Sequence, residues 1–160
     1  MAASVPQSLH PEFELLLNKI INMELRASYI YFSVIYCFSH QDTTLKHFIN
    51  FSRDISEKKR QHAETILQFL IKRGGCPVLE NIIKPEMSNW LDGLLALKEG
   101  LAMEKTINED LLKLYDKAKH KDPHLCSFLE SEFLEEQVKI IKLFGEHIIN
   151  LKRLGLADEC

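Results

Sequence analysis

Gly74-Gly75-Cys76-Pro77-Val78-Leu79-Glu80-Asn81-Ile82-Ile83-Lys84-Pro85-Glu86-Met87 is the stretch on which the fold turns. Two adjacent glycines open it and two prolines interrupt it, so no helix runs through it. Extended at about 3.3 Å per residue, its 14 residues span ~45 Å. A 28-residue helix rises ~1.5 Å per residue and is ~42 Å long. The segment is therefore long enough to travel the whole length of a helical bundle.

Outward from it the chain reads as two helical hairpins. Pro11 stands at a first-turn position, and a helical pattern follows from Glu12 to about Phe38. Asp42 is placed to cap a second helix that ends at Arg73, before the glycine pair. Ser88 is placed to cap a third, from Asn89 to about Lys119, and Asp122-Pro123 opens a fourth that Gly155 stops. The connections near Ser39–Asp42 and His120–Asp122 are short, so each predicts an antiparallel pair. With the long segment between them, the second and third helices become parallel. The expectation is an all-α four-helix bundle with a long crossover between helices two and three.

Composition agrees and removes other classes. Of the 160 residues 46% are hydrophobic, enough to fill a core, and 6 Gly with 5 Pro leave too few turns for an all-β fold. A net charge of −3, from 23 acidic and 20 basic residues, offers no footprint for nucleic acid. No apolar run approaches the ~18–20 residues that span a bilayer, and Met1–His10 lacks a signal-peptide core. Cys37, Cys76, Cys126 and Cys160 are scattered without a CxxC pair and read as reduced thiols. These features predict a cytoplasmic protein with no membrane partner. Residues 1–10 read as a flexible arm, 11–155 as the bundle and 156–160 as a short tail.

Stripes at i, i+3, i+4 spacing define the inward faces. The first helix offers Leu16, Ile20, Glu24, Ala27, Tyr31, Val34 and Phe38. The second offers Leu45, Phe48, Ser52, Ile55, Lys59, His62, Ile66 and Phe69. On the third the stripe reads Trp90, Leu94, Leu97, Leu101, Glu104, Asn108, Leu111 and Tyr115. The fourth gives Leu129, Phe133, Gln137, Ile140, Phe144 and Leu151. Each stripe is apolar at its ends and polar near its middle, which sets Glu24, Lys59, His62, Glu104 and Gln137 at similar depth. A buried carboxylate needs a partner or a metal. Di-iron bundles take one Glu from each of two helices and Glu-x-x-His from each of the other two. Glu24 and Glu104 match the single glutamates, but the second helix reads Lys59-x-x-His62 and the fourth Leu134-x-x-Gln137.

At these residues the chain resembles the ferritin family, the animal heavy-type subunits in particular. The resemblance runs from about Glu12 to Gly155. It is carried by Asn22-Met23-Glu24-Leu25, Ala27-Ser28-Tyr29-Ile30-Tyr31, Arg60-Gln61-His62-Ala63-Glu64, Lys72-Arg73-Gly74-Gly75, Leu101-Ala102-Met103-Glu104-Lys105, Asp122-Pro123-His124-Leu125-Cys126 and Glu135-Glu136-Gln137-Val138-Lys139. It implies a ferritin-like bundle, a place in a twenty-four-subunit cage of like or mixed ferritin subunits, and a role in iron storage and homeostasis. In heavy-type subunits the bundle interior oxidises Fe(II) with O₂. By the same resemblance Glu24, His62 and Glu104 match metal ligands, Gln137 lies beside the second metal, and Tyr31 matches the site tyrosine.

The departures gather at the iron-handling positions. Lys59 falls where the family has a glutamate bridging both irons, and a protonated ammonium has no lone pair to give. The light-type subunit also carries a lysine there. Of the acidic nucleation patch, Asp54 and Glu57 remain, whereas Lys58 and Gln61 stand at the other two positions. The threefold entry pore, lined in the family by an Asp and a Glu, reads Ser127 and Glu130. The family's short fifth helix has no counterpart before Cys160, which predicts a wider fourfold pore.

Three functions follow from this pattern. The leading expectation is an iron-storage subunit whose ferroxidase centre is degraded by Lys59, with iron held weakly or at one position and zinc as a possible surrogate. The first alternative is a weakly active ferroxidase converting Fe(II) to Fe(III). A helical interaction module without iron function is the other.

Overall fold

The computed structural model describes residues 8–38, 46–83 and 93–153. Helix α1 spans Pro11–Phe38, α2 Lys46–Lys72 and α3 Gly93–Ala118. The fourth rod is α4 (Pro123–Leu129), a wide π turn (Glu130–Leu134) and α5 (Glu135–Arg153). Among the described residues there is no strand. The caps assigned to Asp42 and Ser88, the stop at Gly155, Leu45, Trp90 and the Phe38 side chain lie outside what is described.

Residue pairs that touch give the topology directly. Descending α1 from Ser28 to Glu24 to Glu14 meets α2 and its end at Ser56, His62 and Cys76, so α1 and α2 are antiparallel. Ascending α1 through Glu12, Lys19 and Tyr31 meets α3 at Lys117, Asp110 and Glu104, so that pair is antiparallel too. Helices α2 and α3 therefore run parallel, as the long crossover requires. In the α1–α2 seam Ser28 and Ser56 each donate a hydroxyl to the other's carbonyl, at 2.8 and 2.7 Å.

The turn into the crossover is built from the glycine pair. Gly74 has φ 81°, and its N–H bonds Ile71 O at 3.0 Å while Gly75 N–H reaches Leu70 O at 2.8 Å. Together they form the left-handed cap that closes a helix C-terminus. Residues 76–80 then lie along α1 on a ladder of side chains. Asn18 donates to Cys76 O (3.0 Å) and accepts from Val78 N–H (2.8 Å); Asn22 donates to Val78 O (2.9 Å) and accepts from Glu80 N–H (2.9 Å). The periods match: four helical residues rise ~6.0 Å and two extended residues ~6.6 Å. Each amide also carries both a donor and an acceptor, which is what an unpaired extended backbone lacks. Leu9, read as part of the arm, is buried against the bundle.

At the α3–α4 hairpin Asp122 caps α4 by accepting from Leu125 N–H at 3.0 Å. Arg73 forks onto both oxygens of the same carboxylate, at 3.0 and 2.8 Å, and so fastens the end of α2 to the start of α4. Three of the inward stripes match the buried faces wherever they are described, Leu16 being half-buried. The third is corrected: Leu101, Asn108 and Tyr115 are only half-buried, and Gly100, Ile107 and Leu114 face the core instead. Spacing alone permits either choice, because both sets keep the 3-4 rhythm around Glu104. Close packing against Phe144 selected the glycine. The π turn was also unforeseen. Its trace in the sequence is Leu125, Leu129, Phe133, Gln137, all buried at steps of four. Twelve residues at ~100° each overshoot three turns by ~120°, and one wide turn absorbs the excess.

Replacing Asn18 by Ala removes two rungs of the ladder. We expect urea unfolding to register a loss of about 1–3 kcal/mol, with faster hydrogen exchange at the Val78 amide. Unchanged exchange at Val78 would show that the crossover is held by something else.

Candidate metal centre

Four helical rods bring the polar layer together. Glu24 and Tyr31 come from α1, Lys59 and His62 from α2, Glu104 from α3 and Gln137 from α5. Glu24, Lys59, Glu104 and Gln137 have no exposed surface. Lys59 Nζ lies 2.7 Å from Glu104 Oε1, 3.2 Å from Glu24 Oε1 and 3.2 Å from Gln137 Oε1. An ammonium has three protons, and here three acceptors take them.

The remaining atoms of the layer are also engaged. Gln137 Nε2 donates to Glu104 Oε1 at 2.7 Å and to Glu104 O at 2.9 Å. The Tyr31 hydroxyl donates to Glu104 Oε2 at 2.6 Å. His62 Nδ1 is 3.1 Å from Glu24 Oε2, and its ring meets Phe133 edge-on at 5.1 Å. Burial opposes a charge on Lys59, but Glu24 and Glu104 outweigh it and hold the ammonium above its ordinary value. Burial, then the charge of Glu104, pushes the Tyr31 phenol well above the ordinary range, so it stays a donor.

Gly100 belongs to this site although the stripe pointed past it. A Cβ there would lie 2.6 Å from Phe144 Cε1 and 3.2 Å from Tyr31 Cε1. Its absence lets both rings close over the layer while the Tyr31 hydroxyl stays on Glu104. A lone glycine inside a helical pattern was the available signal.

The donor set does not accept a dication as it stands. Both oxygens that a metal would take from Glu24 and Glu104 on the Lys59 side already receive its protons, and Glu24 Oε2 is on His62. Among the described residues no group of three or more His, Cys, Asp or Glu side chains is arranged to hold a metal ion. A metal would have to displace the ammonium first.

Elsewhere Glu57 and Glu130 also meet a cation or a donor. Asp54 is exposed, and Glu57 pairs with Arg60, which also holds Glu64 at 2.6 Å. Lys58 bonds Glu136 from α5. Ser127 is exposed, and Glu130 accepts the phenol proton of Tyr115.

Parallel second and third helices with a polar layer at mid-depth define a long-crossover bundle of the carboxylate-centred class. The family model described as ferritin, ferritin-like domain, matches residues 14–154. The chain is 46% identical over 158 residues to the ferritin light chain, oocyte isoform, of Xenopus laevis, covering 98% of this chain and 89% of that one. It is 46% identical over 159 residues to the ferritin middle subunit of Aquarana catesbeiana, covering 99% and 90%. For the middle subunit of Salmo salar the figure is 44% over 155 residues, covering 96% and 88%. The chain belongs to the ferritin family.

Lys59→Met strands two buried carboxylates, and we expect a loss of about 3–5 kcal/mol in denaturant unfolding at neutral pH. A loss below about 1 kcal/mol would mean that the carboxylates find other partners. Alkaline pH should act on the same contact. The folded state binds the Lys59 proton more tightly than an unfolded lysine, whose value is 10.5. Its contribution is therefore complete below pH 10.5 and is lost as the pH rises through the folded value. Tyr31 acts in the same direction above its ordinary 10.0. Unfolding midpoints followed across this range check the sign.

Proposed function

We propose that this chain is an assembling iron-storage subunit of the ferritin family that leaves Fe(II) oxidation to others. The observation that carries the reading is the Lys59 ammonium, seated between Glu24 and Glu104 with all three protons used. Glu24, His62, Glu104 and Gln137 keep the heavy-type ligand pattern, while Lys59 stands where the light-type subunit has a lysine. The metal positions thus persist in outline, and an internal cation closes them. Two unit charges ~4 Å apart interact by ~4 kcal/mol at an effective dielectric of ~20, enough to disfavour a dication beside the ammonium.

Iron, in this reading, is cargo rather than a resident cofactor. It binds the bundle weakly and at one position at most, with Glu24, His62 and Glu104 as ligands and Zn(II) as a stand-in of similar preference. The bundle, residues 11–155, supplies the cage-forming body, flanked by the arm 1–10 and the tail 156–160. The assembly is a twenty-four-subunit cytoplasmic cage, alone or mixed with heavy-type subunits. Asp54 and Glu57 are what remains of mineral nucleation, and Glu130 is the one carboxylate left at the threefold pore. Among the described residues no helix is long and apolar enough to cross a membrane. Identity over nearly the whole chain favours it over a helical interaction module.

Oxygen consumption on adding Fe(II) tests the proposal. The unmodified protein should oxidise Fe(II) at the uncatalysed rate, and Lys59→Glu should raise that rate by restoring a bridging carboxylate. Turnover by the unmodified chain that is lost in His62→Ala would favour the weak ferroxidase instead. Titration with Zn(II) gives a second check: one equivalent per chain at most is expected, and two tight equivalents would refute the closed centre.

A further inference from the structure

We infer that Tyr115 tethers Glu130 against α3 and thereby restrains the one pore carboxylate that this chain still offers to incoming cations. The inference rests on the reading of Glu130 as a pore residue given above. Its own basis is local. Tyr115 lies near the end of α3 and Glu130 is the first residue of the π turn, facing it across the α3–α4 hairpin. The phenol donates to Glu130 Oε1. Glu130 is exposed and Tyr115 half-buried, so the contact sits at the surface with the ring rooted in the bundle. Beneath it the Cys126 thiol donates to Tyr115 O at 3.8 Å, joining the same two rods.

The carboxylate explains the strength of the tether. An O–H···O⁻ bond is charge-assisted and about twice as strong as a neutral one. That bond, first among the causes, also raises the Tyr115 phenol above its ordinary range, so the proton stays on the ring. A cation that takes Glu130 as ligand competes with this proton for Oε1 or accepts a carboxylate whose side chain is already held back. Glu130 has no acidic neighbour at position 127 to share the work, because Ser127 stands there. Tyr115 is not part of the buried layer around Lys59, so it acts on the arrival of cations and not on the bundle interior.

Tb(III) titration of the assembled protein, read by sensitised luminescence, tests the tether, with particle size measured first for each variant. Tyr115→Phe keeps the ring and deletes the donor. It should tighten Tb(III) binding by roughly tenfold, the factor that corresponds to one charge-assisted hydrogen bond. Glu130→Gln should abolish that class of site, and the double variant should behave as Glu130→Gln alone. If Tyr115→Phe binds like the unmodified protein while Glu130→Gln loses the site, the tether is wrong and the pore reading stands. If Glu130→Gln changes nothing, the pore reading itself fails and the tether falls with it. Ferric iron supplies a separate arm. A visible charge-transfer band that Tyr115→Phe removes would make the phenol a metal ligand rather than a tether, overturning the inference.

Discussion

One buried ammonium organises the centre of this bundle. Two carboxylates at mid-depth on neighbouring helices repel each other and lose their hydration, and a chain that kept them without compensation would not fold well. Lys59 resolves this with a single side chain that reaches Glu24, Glu104 and Gln137 from α2. Everything else in the layer then completes the oxygens it leaves open. Tyr31 takes the far oxygen of Glu104, His62 that of Glu24, and Gln137 turns its amide to serve Lys59 and Glu104 at once.

The same contact links stability to function. In a metal-binding bundle the carboxylates have to be held ready at some cost until a cation arrives. Here the compensating charge is covalently part of the protein, so the folded state is complete on its own.

The outer carboxylates follow a related logic with weaker bonds. Arg60 spans Glu57 and Glu64, Lys58 meets Glu136, and Tyr115 holds Glu130. The exposed ion pairs add little to the stability of the fold. Their consequence lies in what the carboxylates remain free to do. Asp122 at the helix cap is a different case, because Arg73 binds both its oxygens and the pair joins the ends of two rods.

The architecture was legible in the chain itself, since helix ends and connection lengths obey local rules. Gly74-Gly75 needed a positive φ, Asp122-Pro123 had to cap and start a helix, and a crossover of 14 residues was long enough to run the length of its neighbours. The polar layer was also legible, because residues spaced for one face at one depth must meet. The exact inward stripe of α3 was not, nor was the wide turn before Gln137. Helical periodicity leaves a choice of one residue, and only the Phe144 and Tyr31 rings, arriving from other helices, made Gly100 the contact. Nor could spacing assign the protons. That Lys59 divides itself among three acceptors, that Asn18 and Asn22 carry the crossover, and that Tyr115 finds Glu130 are decided by where distant segments come to rest. Hydrogen bonds depend on tenths of an ångström and on angle, which no one-dimensional pattern encodes.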